Sequence, residues 1–418
     1  MLYAWWVTDR RILLADADAF FVAVARMADP EGAGRAPLLI VGGRPGGRGV
    51  VCSASYETRA FGVRSAMPIA QALRLCPDAM CVPVPRGACS ATSKAIAAVL
   101  GRFTPVVEGA SIDEWYLDLS GTEALHHNET LEETAIRIRT TVHRETGMWL
   151  SLGGGTSKLI AKLAAERAKP RLGTDATGVR IIAGGTEADF MRTLALAEIS
   201  GIGPKLQAKL ATLGLVRVDD VLPHDRATLT RWLGRRPAEW LWARARGIHT
   251  APVESRGAAR QISRESTFSR DVSDDTQLTA HLRALGAKAA ADLRSERLGA
   301  RTVTVKIRDA DFTTRLASRT VPEALESDRA IGDIAVGLLQ KLRIARRHPA
   351  RLVGIALGGL GPARDAEQLG LFGGAAPQVE RAEDRALSRA VDRVRERFGD
   401  GAIRTASTPG STPAPRAP

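Results

Sequence analysis

Apolar and polar positions change their rhythm along the chain. Residues 12–20 form an apolar run broken only by two aspartates, the pattern of a buried strand leading into a short helix. Gly32–Gly49 is rich in Gly, Pro and Arg and brackets one short strand, Pro37–Val41. Residues 67–76 and 90–101 fit helices, and Ser111–Leu119 fits a strand. Glu132–Glu145 fits a helix with Ile136, Ile138 and Val142 as its apolar positions, and Thr156–Ala168 another that Pro170 stops. This alternation predicts an α+β layer structure. Around Ser200 the texture shifts to short helices punctuated by Gly, as far as Gly247, and residues 248–259 read as a linker. From Arg260 the order is strand, helix, strand, strand, helix, strand, with helices at Leu278–Leu298 and Arg329–Arg346. Thr302–Arg308 sets Val303, Val305 and Ile307 against Thr304, Lys306 and Arg308, which predicts a sheet with one apolar and one basic face. Beyond Pro362 the pattern gives a flexible stretch, a helix at 378–398 and a Ser/Thr/Pro tail, Thr405–Pro418, of disordered composition.

Length and charge narrow the class. A chain of 418 residues exceeds one ordinary core, and the length suggests roughly two to four domains. A hydrophobic content of 44% with 25% charged residues is that of a globular protein. The net charge of +13 favours a polyanionic partner, nucleic acid before membrane. Cys52, Cys76, Cys81 and Cys89 lack Cys-x-x-Cys spacing and read as reduced residues of a cytoplasmic protein. Arg10-Arg11 precede an apolar run, but Asp16 and Asp18 interrupt it and no signal peptide is expected. No uncharged run reaches the ~20 residues of a membrane span.

The sharpest chemical signal is acidic. Asp16 and the Asp113-Glu114 pair sit inside apolar, strand-like runs, where a carboxylate is costly unless paired or bound to a cation. Two such runs from distant parts of the chain suggest neighbouring strands with converging carboxylates, a site for two Mg²⁺ ions in phosphoryl or nucleotidyl transfer. Adjacent Asp113 and Glu114 point to opposite faces of a regular strand, so both reach one site only if the backbone turns there. Asp18 and Asp118 suit a turn or solvent as well as a ligand role, and Lys158 and Lys162 suit either DNA or solvent.

Four motifs in order give these residues a context: Asp16-Ala-Asp-Ala-Phe-Phe21, Val51-Cys-Ser-Ala-Ser-Tyr-Glu-Thr-Arg-Ala-Phe-Gly-Val-Arg-Ser-Ala-Met-Pro68, Ser111-Ile-Asp-Glu114 and Lys162-Leu-Ala-Ala-Glu-Arg-Ala-Lys-Pro170. Together they resemble the Y-family translesion DNA polymerases of the bacterial DNA polymerase IV type, from about residue 11 to the end. The resemblance implies an α+β multidomain right hand. Its palm would span 1–19 and 84–174, its fingers 20–83, and a helical thumb with a helix–hairpin–helix 175–247. A linker would follow at 248–259, a little-finger α/β sandwich at 260–362, and a tail at 363–418.

By the same resemblance Asp16, Asp113 and Glu114 are catalytic and hold two Mg²⁺ ions, with the Ala17 main-chain carbonyl as a further ligand. Phe21 is the steric gate against ribose, and Phe20 beside it also contacts the nucleotide. Ser53, Tyr56, Arg59 and Lys169 contact the deoxynucleoside triphosphate, since guanidinium, ammonium and phenol groups suit phosphate oxygens. Gly201, Gly203 and Lys205 of Ser200-Gly-Ile-Gly-Pro-Lys205 grip the DNA backbone, as do Arg260 and Arg264. Gln368, Leu369, Leu371 and Phe372 form a docking peptide for the sliding clamp. The implied activity is low-fidelity translesion synthesis by a monomer without proofreading, on primer–template DNA. The sequence departs from the family at Trp115, Ala25, Cys89 and Glu166. A scaffold that recruits other polymerases has no need of buried carboxylates, and a nucleotidyl cyclase needs neither the helix–hairpin–helix nor the docking peptide.

Overall fold

The computed structural model describes residues 10–170, 177–255, 257, 259–363, 379–399 and 402–403. The chain divides into two compact units, meeting between Gly257 and Ala258. The first opens with β1 (Ile12–Ala17), α1 (Phe20–Ala28), β2 (Leu39–Gly42), β3 (Val51–Ala54), α2 (Tyr56–Ala60), α3 (Ile69–Leu75) and β4 (Met80–Pro83). It continues through α4 (Arg86–Leu100), β5 (Val107–Gly109), β6 (Glu114–Asp118), α5 (Leu131–Thr146), β7 (Leu150–Gly155), α6 (Lys158–Ala168) and β8 (Val179–Ile181). Five helices complete it: α7 (Glu187–Arg192), α8 (Pro204–Ala211), α9 (Val218–Val221), α10 (Arg226–Leu233) and α11 (Arg235–Ala245).

The main sheet of this unit has the order β5-β6-β1-β7-β8. β1 lies at its centre, antiparallel to both β6 and β7. Covered on both faces, β1 reads as a continuous apolar run rather than an alternating one. Leu13, Ala15 and Ala17 enter one core with Phe20, Ile96, Leu100, Ile138 and Val142. Ile12 and Leu14 pack the other way, on Ala161 and Ala165 of α6. Asp16 therefore continues the α6 face.

What brings α6 so close is Gly153. A methyl group built there would lie 2.0 Å from the Ala165 nitrogen and 2.2 Å from the Ala161 carbonyl oxygen. Ser157 caps the helix, its hydroxyl accepting from Ile160 N–H.

Several elements differ from the sequence expectation. The one strand expected within Gly32–Gly49 is β2, and it pairs with two short strands beyond that region that the sequence did not show, giving the sheet β3-β2-β4. Four-residue strands carry too few positions for a period to show. On α5 the buried apolar positions are Ala135, Ile138 and Val142, and Ile136 is 50% exposed. Ile136 lies about 100° around the helix from Ala135, off the i, i+3, i+7 stripe. The expected linker does not begin at 248 as free chain. Val253 is 5% exposed and packs on Ile12, Leu14, Ala161 and Ala165, while the Glu254 N–H donates to Glu108.

The second unit follows the expected order: β9 (Gln261–Val272), α12 (Asp275–Ser295), β10 (Leu298–Asp309), β11 (Thr314–Leu325), α13 (Asp328–Ala345) and β12 (Ala350–Pro362). Its sheet, β11-β10-β12-β9, is antiparallel throughout, and α12 and α13 cover one face. Val303, Val305 and Ile307 are buried there as the alternation requires. The opposite face is less basic than expected. Thr302 and Thr304 bond across to Thr320 and Ser318, and Gly354 separates Lys306 from Glu265, to which its ammonium donates at 2.8 Å. Hydroxyls and bare backbone dominate it. A last helix, α14 (Ala382–Phe398), lies on α12 and α13. Among the described residues no helix is long and apolar enough to cross a membrane.

Gly153→Ala should destabilise the protein by about 2–3 kcal/mol, as overpacking against helix backbone does. Chemical denaturation would check this, and a wild-type midpoint would show that α6 is not held by that approach.

Candidate active site

Asp16 and Glu114 are direct cross-strand partners on β1 and β6. Their side chains share the face under α6, and a lysine from that helix region meets each. Lys169 Nζ stands 2.9 Å from Asp16 Oδ2 and 2.7 Å from Glu166 Oε1. Lys162 Nζ donates to Glu114 Oε1 at 2.5 Å. Spacings of four, four and three place Lys158, Lys162, Glu166 and Lys169 on one side of α6. Lys158, the fourth, donates to Glu108 at 2.6 Å and lies 4.7 Å over the Tyr116 ring. Both lysines whose direction the sequence left open thus face the carboxylate strands.

Electrostatics follow burial. Asp16 is 5% exposed, and its pKa is pushed up to about 6. Loss of solvent is the main cause; Lys169 offsets part of it, and Glu114 and Glu166 add to it. Burial disfavours the Lys169 ammonium, but Asp16 and Glu166 outweigh that and raise its pKa. Burial, then Glu114 and Glu108, likewise push the Tyr116 phenol up.

Asp113 occupies the turn just before β6, where the Ser111 hydroxyl donates to its carboxylate. Its own carbonyl accepts the Ala17 N–H at 2.9 Å, so the turn is pinned to the end of β1. Among the described residues no three His, Cys, Asp or Glu side chains already stand close enough to hold a metal ion. Asp16 and Glu114 nevertheless suit divalent cations: one is a buried carboxylate raised in pKa, and each is neutralised by an ammonium in a cation's place. Trp115 points to the opposite face, buried with Phe20 and Val24, so its bulk does not reach the carboxylates. Asp118, at the far end of β6, accepts from Ser120 N–H as a turn cap.

The nucleotide side is built around α1. Phe20 is 2% exposed and belongs to the core, which corrects its expected place beside the nucleotide. Phe21 is half-buried, edge-on to Phe20, and touches the cores on both sides of it. From the three-stranded module, Arg59 stacks 4.9 Å over Tyr56, and its Nε donates to the Ala54 carbonyl. Burial raises the Tyr56 pKa, with Asp18 adding and Arg59 and Lys169 opposing, so these groups converge electrostatically. Ser53 is buried on β3. Sequence reasoning left the Asp18 role open. Its carboxylate accepts from Ser151 Oγ at 2.7 Å.

Other expected contacts separate. Gly201 has φ of +101°, and a Cβ there would lie 2.8 Å from Trp240, so local packing alone demands glycine. Gly203 starts α8 with open space around it, and Lys205 is exposed in the first turn. Arg260 is exposed before β9. Arg264 lies on the helix side of the sheet, paired with Asp292 of α12. Gln368, Leu369, Leu371 and Phe372 lie outside the described residues.

The Asp16 shift sets a stability test. A folded pKa near 6, above the ordinary carboxylate value, means ionised Asp16 opposes folding. That cost is absent at low pH, grows as pH rises towards 6, and is complete above it. In EDTA, Asp16→Asn should therefore melt higher than wild type at about pH 7, with the gap narrowing below pH 6 and closing towards about pH 4. Parallel melting curves for the two proteins across that window would remove the burial argument.

Comparison with known proteins accords with this arrangement. Residues 15–166 match the impB/mucB/samB family and residues 259–371 its C-terminal domain. DNA polymerase IV of Dehalococcoides mccartyi strain CBDB1 is 35% identical over 400 residues, covering 96% of this chain and 97% of that protein. DNA polymerase IV of Halorhodospira halophila is 37% identical over 365 residues, 87% of this chain and 99% of that one. Among solved structures, a Y-family chimera of Dbh and Dpo4 superposes with a TM-score of 0.73 at 25% identity, covering 84% of this chain and 99% of its own. An insertion ternary complex of Dbh DNA polymerase gives 0.59 at 26% identity, covering 83% and 98%. With paired carboxylates at the centre of its main sheet and relatives matched over nearly their whole length, the chain belongs to the Y-family DNA polymerases of the bacterial DNA polymerase IV type.

Proposed function

We propose that this DNA polymerase carries out template-directed, low-fidelity synthesis past damaged bases by two-metal nucleotidyl transfer, without proofreading. The observation that carries the proposal is the Asp16–Glu114 cross-strand pair, held by Lys169 and Lys162 beside the uncapped start of α1. Asp16, Glu114 and Asp113, with the Ala17 carbonyl, would hold two Mg²⁺ ions. When bound, such ions activate the primer 3′-hydroxyl and stabilise the leaving pyrophosphate.

The chain's own residues do the rest. Lys169, Tyr56 and Arg59 bind triphosphate oxygens, with Ser53 near them, and the first-turn N–H groups of α1 favour the same anion. Phe21 places its ring under the sugar and excludes a 2′-hydroxyl. In this reading the five-stranded sheet is the palm, the β3-β2-β4 module the fingers, the helices from α7 to α11 the thumb, and the second unit the little finger. Gly203 and Lys205 grip the primer–template backbone from the start of α8. The little finger offers hydroxyls, backbone, Lys306 and Arg308, with Arg260 at its edge. The Gln368–Phe372 peptide docks on a sliding clamp, and the protein works as a cytoplasmic monomer.

Primer extension tests the chemistry. Asp113→Asn and Glu114→Gln should each lower incorporation by about a thousandfold or more while primer–template affinity stays near wild type. Phe21→Ala should keep deoxynucleotide incorporation and admit ribonucleotides. Near-normal rates in the carboxylate variants, or unchanged sugar selection in an active Phe21→Ala protein, would overturn the respective roles. The double change Leu371→Ala with Phe372→Ala should leave clamp-free extension intact and remove stimulation by a sliding clamp; retained stimulation would place docking elsewhere.

A further inference from the structure

Between Ala17 and α1 the chain reverses through only two residues, Asp18 and Ala19. Ala19 sits at φ 46°, ψ 42°, in the left-handed region, though it is not glycine. Such a conformation opposes itself in an L-residue and persists only where neighbours hold it. Asp18 supplies the hold twice over. Its N–H donates to the Trp149 carbonyl at 3.0 Å, and its carboxylate accepts from the Ser151 hydroxyl at 2.7 Å.

The receiving frame is itself fixed. Trp149 stacks on His143 at 3.6 Å and beneath Arg139 at 4.1 Å, and Arg139 Nε donates to the Leu150 carbonyl. Ser151 is fully buried and faces Asp16 across the sheet. Ala19 is the N-cap of α1, its carbonyl accepting from Val22 and Ala23, and it provides no side-chain cap. The setting of Ala19 thus fixes where α1 begins, and with it Phe21.

We propose that Asp18 is a positioning residue: seated on Ser151 and Trp149, it holds Ala19 left-handed and so fixes Phe21 and the first turn of α1 against the incoming nucleotide. This rests on the polymerase reading and deepens it. Asp18 acts here as a hydrogen-bond acceptor and not as a metal ligand, which separates its role from that of Asp16.

The test is steady-state primer extension with Asp18→Ala, Asp18→Asn, Ser151→Ala and Asp18→Ala combined with Ala19→Gly, alongside primer–template affinity and melting temperature. Freed from its anchor, a non-glycine left-handed residue loses its conformation in most molecules. Asp18→Ala should therefore raise KM for deoxynucleotide and lower discrimination against ribonucleotide, each about tenfold, with primer–template affinity unchanged. Ser151→Ala should move both in the same direction by less. Asp18→Asn keeps an acceptor for the Ser151 hydroxyl and should stay near wild type. Ala19→Gly removes the conformational penalty and should restore most of what Asp18→Ala loses.

Wild-type KM and sugar selection in Asp18→Ala would overturn the proposal. So would an Asp18→Asn defect as deep as that of Asp18→Ala, since the carboxylate would then act through charge. A fall in melting temperature with no change in sugar discrimination would reduce Asp18 to a structural residue. If Asp18→Ala does not fold, Ser151→Ala with and without Ala19→Gly reads the same two quantities. A wild-type protein unable to extend a primer would instead overturn the polymerase reading itself.

Discussion

A carboxylate buried at the centre of a sheet is the constraint on which the rest of this molecule turns. Asp16 lies on a strand buried along its whole length, in register with Glu114, where an ionised group loses most of its hydration. It is tolerable because α6 runs directly over that face and its lysines reach both acids. The approach depends in turn on Gly153, whose missing side chain lets helix backbone rest on the strand. One glycine on β7 therefore governs the electrostatics of two acids on other strands. The residual cost remains visible in the raised pKa of Asp16, as expected of a site shaped for a cation more strongly charged than ammonium.

The same logic places the family departures. Glu166 reaches Lys169 at 2.7 Å and forms, with Asp16, the pair of anions that keeps this ammonium charged. Trp115 alternates away from Glu114 and fills a core that includes Phe20 and Cys89, so three unusual or ambiguous positions share one apolar cluster. Strand parity is what separates chemistry from packing here. In β6, even-numbered residues carry charge and phenol to the α6 face, and odd-numbered residues fill the opposite core.

Legibility in the sequence tracked how much each pattern owed to a single covered face. The second unit was plain because β10 alternates cleanly between helices and open face, and the carboxylates were plain because charge inside an apolar run has few explanations. Lysines at 158, 162 and 169 carried a legible helical spacing, yet their partners lie on strands that spacing cannot locate. Gly153 was hidden because a glycine's reason is the neighbour it admits. The side on which Arg264 lies was not legible, because its pairing partner Asp292 is on α12, far along the chain. The open face looked basic because nothing in the sequence tied Lys306 to Glu265, which lies two strands away across Gly354.

How segments are fastened differs between the two units, with physical consequences. The chain leaving α11 is held to the first unit by burial: Val253 enters an apolar cluster, and His249, desolvated beside Arg244 and Lys158, has its pKa pushed down to about 4 and stays neutral. The chain is thus still held to the first unit at Glu254. In the second unit α14 is fastened by charge. Glu380, 2% exposed, accepts from the N–H groups of Glu326 and Ser327, while Arg294 bridges Asp392 and Asp328. Arg389 meets Glu326, and Ser388 accepts from the Asp328 N–H. Such a buried network is costly to break at one member, because the partner left behind keeps its charge without compensation. The segment between Ala363 and Val379 is therefore flanked in sequence by two elements of the same unit, β12 and α14. β12 is attached to that unit by sheet hydrogen bonds and α14 by ion pairs.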